Sequence, residues 1–73
     1  MIIVKVIRNK TGEPVRGLNV YISKAIAGGV RDANTNSNGE AHIDFQLPCN
    51  GKIVIDGKNV YEGEMKAYMP FYI

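Results

Sequence analysis

Seventy-three residues are enough for one domain, 1–73, and at this size folding buries only roughly 60% of the surface of the unfolded chain, so a second site-bearing lobe is excluded. Nine Lys and Arg against seven Asp and Glu leave a net charge of +2, too small and too scattered for an electrostatic grip on nucleic acid. Cys49 is the only cysteine, which excludes an intramolecular disulfide and points to a reducing, cytoplasmic location; no apolar run approaches the ~20 residues of a membrane span.

The chain opens on Ile2 to Arg8, rich in β-branched residues and lacking the apolar length and cleavage site of a secretion signal. Ile2, Val4 and Val6 alternate with Ile3, Lys5 and Ile7, which predicts a first strand covered on both sides. Gly12 and Pro14 mark a reversal. Leu18, Val20 and Ile22 then alternate with Asn19, Tyr21 and Ser23, a second strand. Lys24 to Val30, with Gly28-Gly29, is too short for a helix and too glycine-rich for a firm strand, and is expected to be a mobile loop.

Val30 to Thr35 is a short strand leading into Asn38-Gly39, whose tolerance of positive φ predicts a hairpin with the next strand as its antiparallel neighbour. That strand is the cleanest in the chain. Ala41, Ile43, Phe45 and Leu47 face one way, and His42, Asp44 and Gln46 the other. After Pro48-Cys49-Asn50-Gly51, Ile53 and Ile55 supply the inward face of Lys52 to Asp56. Asp56-Gly57 then predicts a second hairpin, to Lys58-Asn59-Val60-Tyr61. The end of the chain, Ala67 to Ile73, carries five large apolar side chains in seven residues, either core or an exposed patch that binds partners. Short strands punctuated by turns, with no helical period, predict an all-β fold. A small antiparallel β-sandwich of six or seven strands is favoured over a five- or six-stranded open barrel.

The motifs carry little chemistry. Asn34, Asn36 and Asn38 before Gly39 imitate a calcium loop, but neutral amides stand where carboxylates are needed and Phe45 stands where the closing Glu would be. One histidine, His42, and one thiol, Cys49, supply too few ligands for a zinc site within the chain. They would form a nucleophile and base only if the fold brought mid-strand His42 to the turn holding Cys49. No matched acid, base and nucleophile emerges, so no enzyme, metal or cofactor is expected. Tyr61, Tyr68, Met69, Phe71 and Tyr72 are the candidate partner-binding residues of a non-enzymatic interaction module, whose sheet edge and C-terminal apolar tail are expected to contact another protein or a second copy of the chain. The alternative is weak carbohydrate or single-strand nucleic-acid binding on Tyr21 and Tyr61 with Arg8, Lys24 and Arg31; the low net charge disfavours nucleic acid, and no membrane partner is expected.

The stretches Gly12-Glu-Pro-Val-Arg-Gly-Leu-Asn-Val20, Ala33-Asn-Thr-Asn-Ser-Asn-Gly-Glu40, Phe45-Gln-Leu-Pro48 and Gly51-Lys-Ile-Val-Ile55 resemble the carboxypeptidase regulatory-like domains and the related CnaB-type domains. Those families are transthyretin-like β-sandwiches with a "G-x-P-V-x-G-x-x-V" start, a "T-D-x-N-G" hairpin and an "L-P-x-G-x-Y" turn. The likeness spans residues 2 to 57. Asn36 stands in place of the usual Asp, and Ile53 where an aromatic is common. The resemblance implies a transthyretin-like sandwich and a non-catalytic accessory or adhesive module that supports a neighbouring domain or binds protein or carbohydrate. It also implies a test for the isopeptide bond of CnaB-type domains, with Lys5 at the nucleophile position and Asn59 and Asp44 as loose matches for the other roles; a solvated Lys5 is the favoured alternative.

Overall fold

The structure, a computed structural model, describes residues 1–25 and 29–73. Seven strands and no helix are formed among them: β1 (Ile2–Ile7), β2 (Asn19–Lys24), β3 (Val30–Asn34), β4 (Glu40–Ile43), β5 (Asn50–Ile55), β6 (Lys58–Glu64) and β7 (Tyr68–Tyr72). They lie in two sheets, a three-stranded one ordered β4-β1-β7 and a four-stranded one ordered β3-β2-β5-β6. The molecule is a small β-sandwich. Two separate sheets set aside the open barrel.

Period-two alternation builds the core as read from the sequence. Ile2, Val4 and Val6 of β1, Val20 and Ile22 of β2, Ala41 and Ile43 of β4, and Ile53 and Ile55 of β5 are all buried in one cluster. Phe45 joins them although β4 ends at Ile43, while His42, Asp44 and Gln46 are exposed. Asp56 (φ 51°) and Gly57 (φ 81°) both take positive φ and join β5 to β6 as the expected two-residue hairpin. Gly51, expected in a turn, lies inside β5 instead. A Cβ there would collide with the Ser23 carbonyl oxygen, so the close approach of β5 to β2 requires glycine.

Two pairings differ from expectation. The Asn38-Gly39 turn does not make a hairpin, because β3 pairs with β2 in one sheet and β4 with β1 in the other. The turn closes on itself: the Asn36 amide donates to the Glu40 carbonyl at 2.9 Å, and the Asn36 side-chain oxygen accepts from the amides of Asn38 and Glu40. Gly39 (φ 74°) then packs on β1, accepting a 2.8 Å bond from the Val6 amide. Turn chemistry fixes a local reversal, whereas burial chooses the partner. Ala41 and Ile43 need a second apolar face, and β3 offers the core only the half-buried Ala33 on its inward side. The second difference is that β7 runs parallel to β1, from Ile3 beside Tyr68 to Ile7 beside Tyr72, so the sandwich is not wholly antiparallel. Between Glu64 and Tyr68 the chain crosses from one sheet to the other, and it arrives alongside its own first strand in the same direction.

Of the loop expected over Lys24 to Val30, residues 26–28 lie outside the described residues. Its ends are tied by hydrogen bonds that the Lys24 amide donates to the Gly29 carbonyl and the Ala25 amide to the Asn50 carbonyl.

Candidate interaction surface

The outward positions of the three-stranded sheet form cross-strand rows. His42, Ile3 and Tyr68 make one row, Glu40, Lys5 and Pro70 the next, and Ile7 and Tyr72 a third, with Pro14 bridged to Ile7 beyond the end of β4. Tyr68 is 50% exposed and Tyr72 64%, while Ile3, Lys5 and Ile7 are half-buried. A sheet face turned to water normally alternates polar residues outward, whereas here two isoleucines, a proline and two tyrosines form an apolar surface around a central Lys5, with His42 and Glu40 as a polar border along β4.

β7 is one edge of this sheet and β4 the other. The Ile3 amide donates to the Ala67 carbonyl and the Ile73 amide to the Ile7 carbonyl. The alternation of a parallel ladder then turns the main chain of Met69 and Phe71 toward β1, and that of Tyr68, Pro70 and Tyr72 away from it. Pro70 has no N–H to offer there, which blunts the edge against an added strand.

The same alternation divides the candidate partner-binding residues. Tyr68 and Tyr72 face outward. Met69 is buried, and Phe71 packs against the core with its ring edge-on to Tyr61, centroids 6.1 Å apart and planes at 61°. Tyr61 completes this seam between β6 and β7, and its hydroxyl donates to the Glu64 carbonyl at 2.7 Å. Tyr61 comes to the core side through a bulge. Ile55 pairs with Lys58 and Val54 with Asn59, but Ile53 pairs with Tyr61, leaving Val60 as the extra residue. Tyr21 faces outward on β2, so it and Tyr61 lie on opposite faces of the four-stranded sheet and form no shared stacking platform. Arg8 follows β1 at the end of the sandwich opposite the one where Lys24 and Arg31 lie.

The remaining candidates do not assemble into chemistry. His42 Nε2 lies 3.4 Å from Glu40 Oε1 on the outer face, while Cys49 is half-buried, with its carbonyl accepting from the Met65 amide. Lys5 alternates with the buried Val4 and Val6 and faces away from the core, and Asn59 belongs to the other sheet, so the isopeptide arrangement is not formed. The asparagines of the calcium-like stretch are engaged elsewhere: Asn36 holds the turn, and Asn34 Oδ1 accepts from Asn19 Nδ2, which also donates to Asp32 at 2.8 Å. Among the described residues no group of three or more His, Cys, Asp or Glu side chains is placed to hold a metal ion, and no helix is long and apolar enough to cross a membrane.

Sequence reading missed Thr35, the one buried polar residue among those described. Its hydroxyl donates to the Val15 carbonyl at 2.7 Å and accepts from the Leu18 amide at 3.0 Å, fastening the Val15 to Leu18 segment to the corner after β3. A threonine at a strand end carries no signal of that partner. No family model, no curated protein and no solved structure matches the chain.

Proposed function

We propose that the chain is a non-enzymatic interaction module whose three-stranded sheet docks a protein partner on its outer face. The observation that carries this reading is the row of exposed Tyr68 and Tyr72 beside Pro70, Ile3 and Ile7. Tyrosines on a rigid strand bring large contact area at little entropic cost, and a polar border helps exclude water from such a contact. The two-sheet sandwich supports kinship with the accessory modules of the carboxypeptidase regulatory-like and CnaB type, and the unpaired Cys49 is in keeping with a reducing, cytoplasmic setting.

A photo-crosslinking residue at position 72 or at Asn59 on the other sheet, in cells that make the protein, tests the reading. One defined adduct is expected from position 72, none from position 59, and loss of the adduct when Tyr68→Glu is added. An adduct of the chain's own mass identifies the partner as a second copy. No adduct from position 72, or the same adducts from both positions, would overturn it.

A further inference from the structure

At the end of the sandwich where β2 finishes and β3 and β5 begin, the core-facing positions change character. Val20 and Ile22 are fully buried, and Lys24 shares their parity on β2. Lys24 pairs with Gly51, which pairs in turn with Gly63, while Arg31 pairs with Ile22 and so starts from the core side of β3. Positions that apolar side chains would otherwise close therefore hold two cations and two glycines. Both cations reach one buried ring: Lys24 Nζ lies 5.8 Å and Arg31 Cζ 5.9 Å from the Phe45 centroid. The ring's quadrupole attracts each of them but neutralises neither. Among the described residues neither is ion-paired with a carboxylate, although Asp44 lines the same groove. The groove is open, about 860 Å³, with Val30 and Leu47 as apolar walls. That volume suits a small organic ligand.

We propose that this groove binds an oxyanion carried on a small organic molecule, a carboxylate or a phosphate monoester. Arg31 grips it with its planar guanidinium, Lys24 adds a point charge, and the apolar body lies along Val30 and Leu47. An anion in the groove that both cations line is attracted by each of them, a charge compensation the Phe45 ring alone does not supply. The site uses neither Tyr68 nor Tyr72 and stands independently of the docking face.

Amide-detected NMR titration of the full chain with phenyl phosphate and with benzoate, against sodium chloride at matched ionic strength, tests it. Saturable shifts are expected at Gly29, Val30 and Arg31 with at least one of the organic anions, and none with chloride. The tighter of the two identifies the head group as phosphate or carboxylate. Lys24→Gln and Arg31→Gln should each weaken binding about fivefold or more while leaving distant amides unmoved. Should Arg31→Gln disturb the fold, Arg31→Lys keeps the charge, removes the bidentate grip and is expected to weaken binding in the same direction. Shifts equal to those in chloride, shifts spread over Lys10, Lys52, Lys58 and Lys66, or unchanged affinity in these variants would overturn the assignment.

Discussion

The two ends of the sandwich are built on opposite plans. At the end holding Thr35 and Gly39, polar groups are engaged in holding the chain: the Thr35 hydroxyl joins Val15 to Leu18, the Gly17 amide donates to the Thr35 carbonyl, and Gly39 lies against Val6 and Pro14. At the other end an apolar residue, Phe45, fills the space, and the polar side chains of Lys24, Arg31 and Asp44 line an open groove around it. Polar residues thus serve structure where the chain must be latched and are left free where it is not. A contact between polar groups is worth little net, but leaving a buried one unmade is costly, so the latch tolerates change far less than the groove.

Phe45→Ala is the sharpest way to break the open end. The ring is 5% exposed and belongs to the core, so its removal should cost about 3–5 kcal/mol in chemical denaturation. A loss below about 1 kcal/mol would mean that Phe45 does not hold this end. At the latched end, Gly39→Val places a Cβ 2.6 Å from the Val6 carbonyl oxygen and 2.8 Å from the Pro14 Cβ, on a backbone at φ 74°. Strain and overpacking together should cost about 2–5 kcal/mol, read as a fall in the thermal midpoint. Thr35→Val keeps the shape but leaves the Val15 carbonyl and Leu18 amide without a hydroxyl partner, for about 1–3 kcal/mol, whereas Thr35→Ser should recover most of it. A larger loss from Thr35→Ser than from Thr35→Val would assign its contribution to the methyl group. Smallest is Asp44→Ala, exposed on the groove wall and expected to change stability by no more than about 0.5 kcal/mol. A larger loss there than from Thr35→Val would reverse the contrast between the ends.

What could be read before any coordinates was whatever depends on neighbours in sequence. The alternations through Val4, Ile22, Ile43 and Ile53 declared their faces because one side of each strand had to be dry. Asp56-Gly57 declared a hairpin because two strands of one sheet flank it directly. Asn38-Gly39 carries the same chemistry but joins strands of different sheets, a choice made by distant apolar surface that no local pattern records. The parallel partnership of β1 with β7 is equally nonlocal. For the candidate surface, the order Tyr68-Met69-Pro70-Phe71-Tyr72 already alternates, and taken as a strand it separates two outward tyrosines from two inward apolar residues. Tyr61 was illegible for another reason, since the single extra residue of a bulge reverses the face of every position after it. The parity of Val20, Ile22 and Lys24 was open to view, but its meaning required knowing that glycines stand opposite.

The order of strands in the two sheets also sets a timetable for folding. In the four-stranded sheet β2 meets β3 and β5 meets β6, neighbours in sequence that close short loops. The three-stranded sheet contains no consecutive pair: Ile2 waits for Ile43, and Ile3 waits for Tyr68. Distant pairings are slow to form because the chain must be closed before they reward it. A refolding chain can therefore close the β2–β3 and β5–β6 pairs while β1 still has its dry face in water. Pulse-labelled hydrogen exchange during refolding should protect amides of β5 and β6 before those of β1, and simultaneous protection would show that the two halves form as one unit.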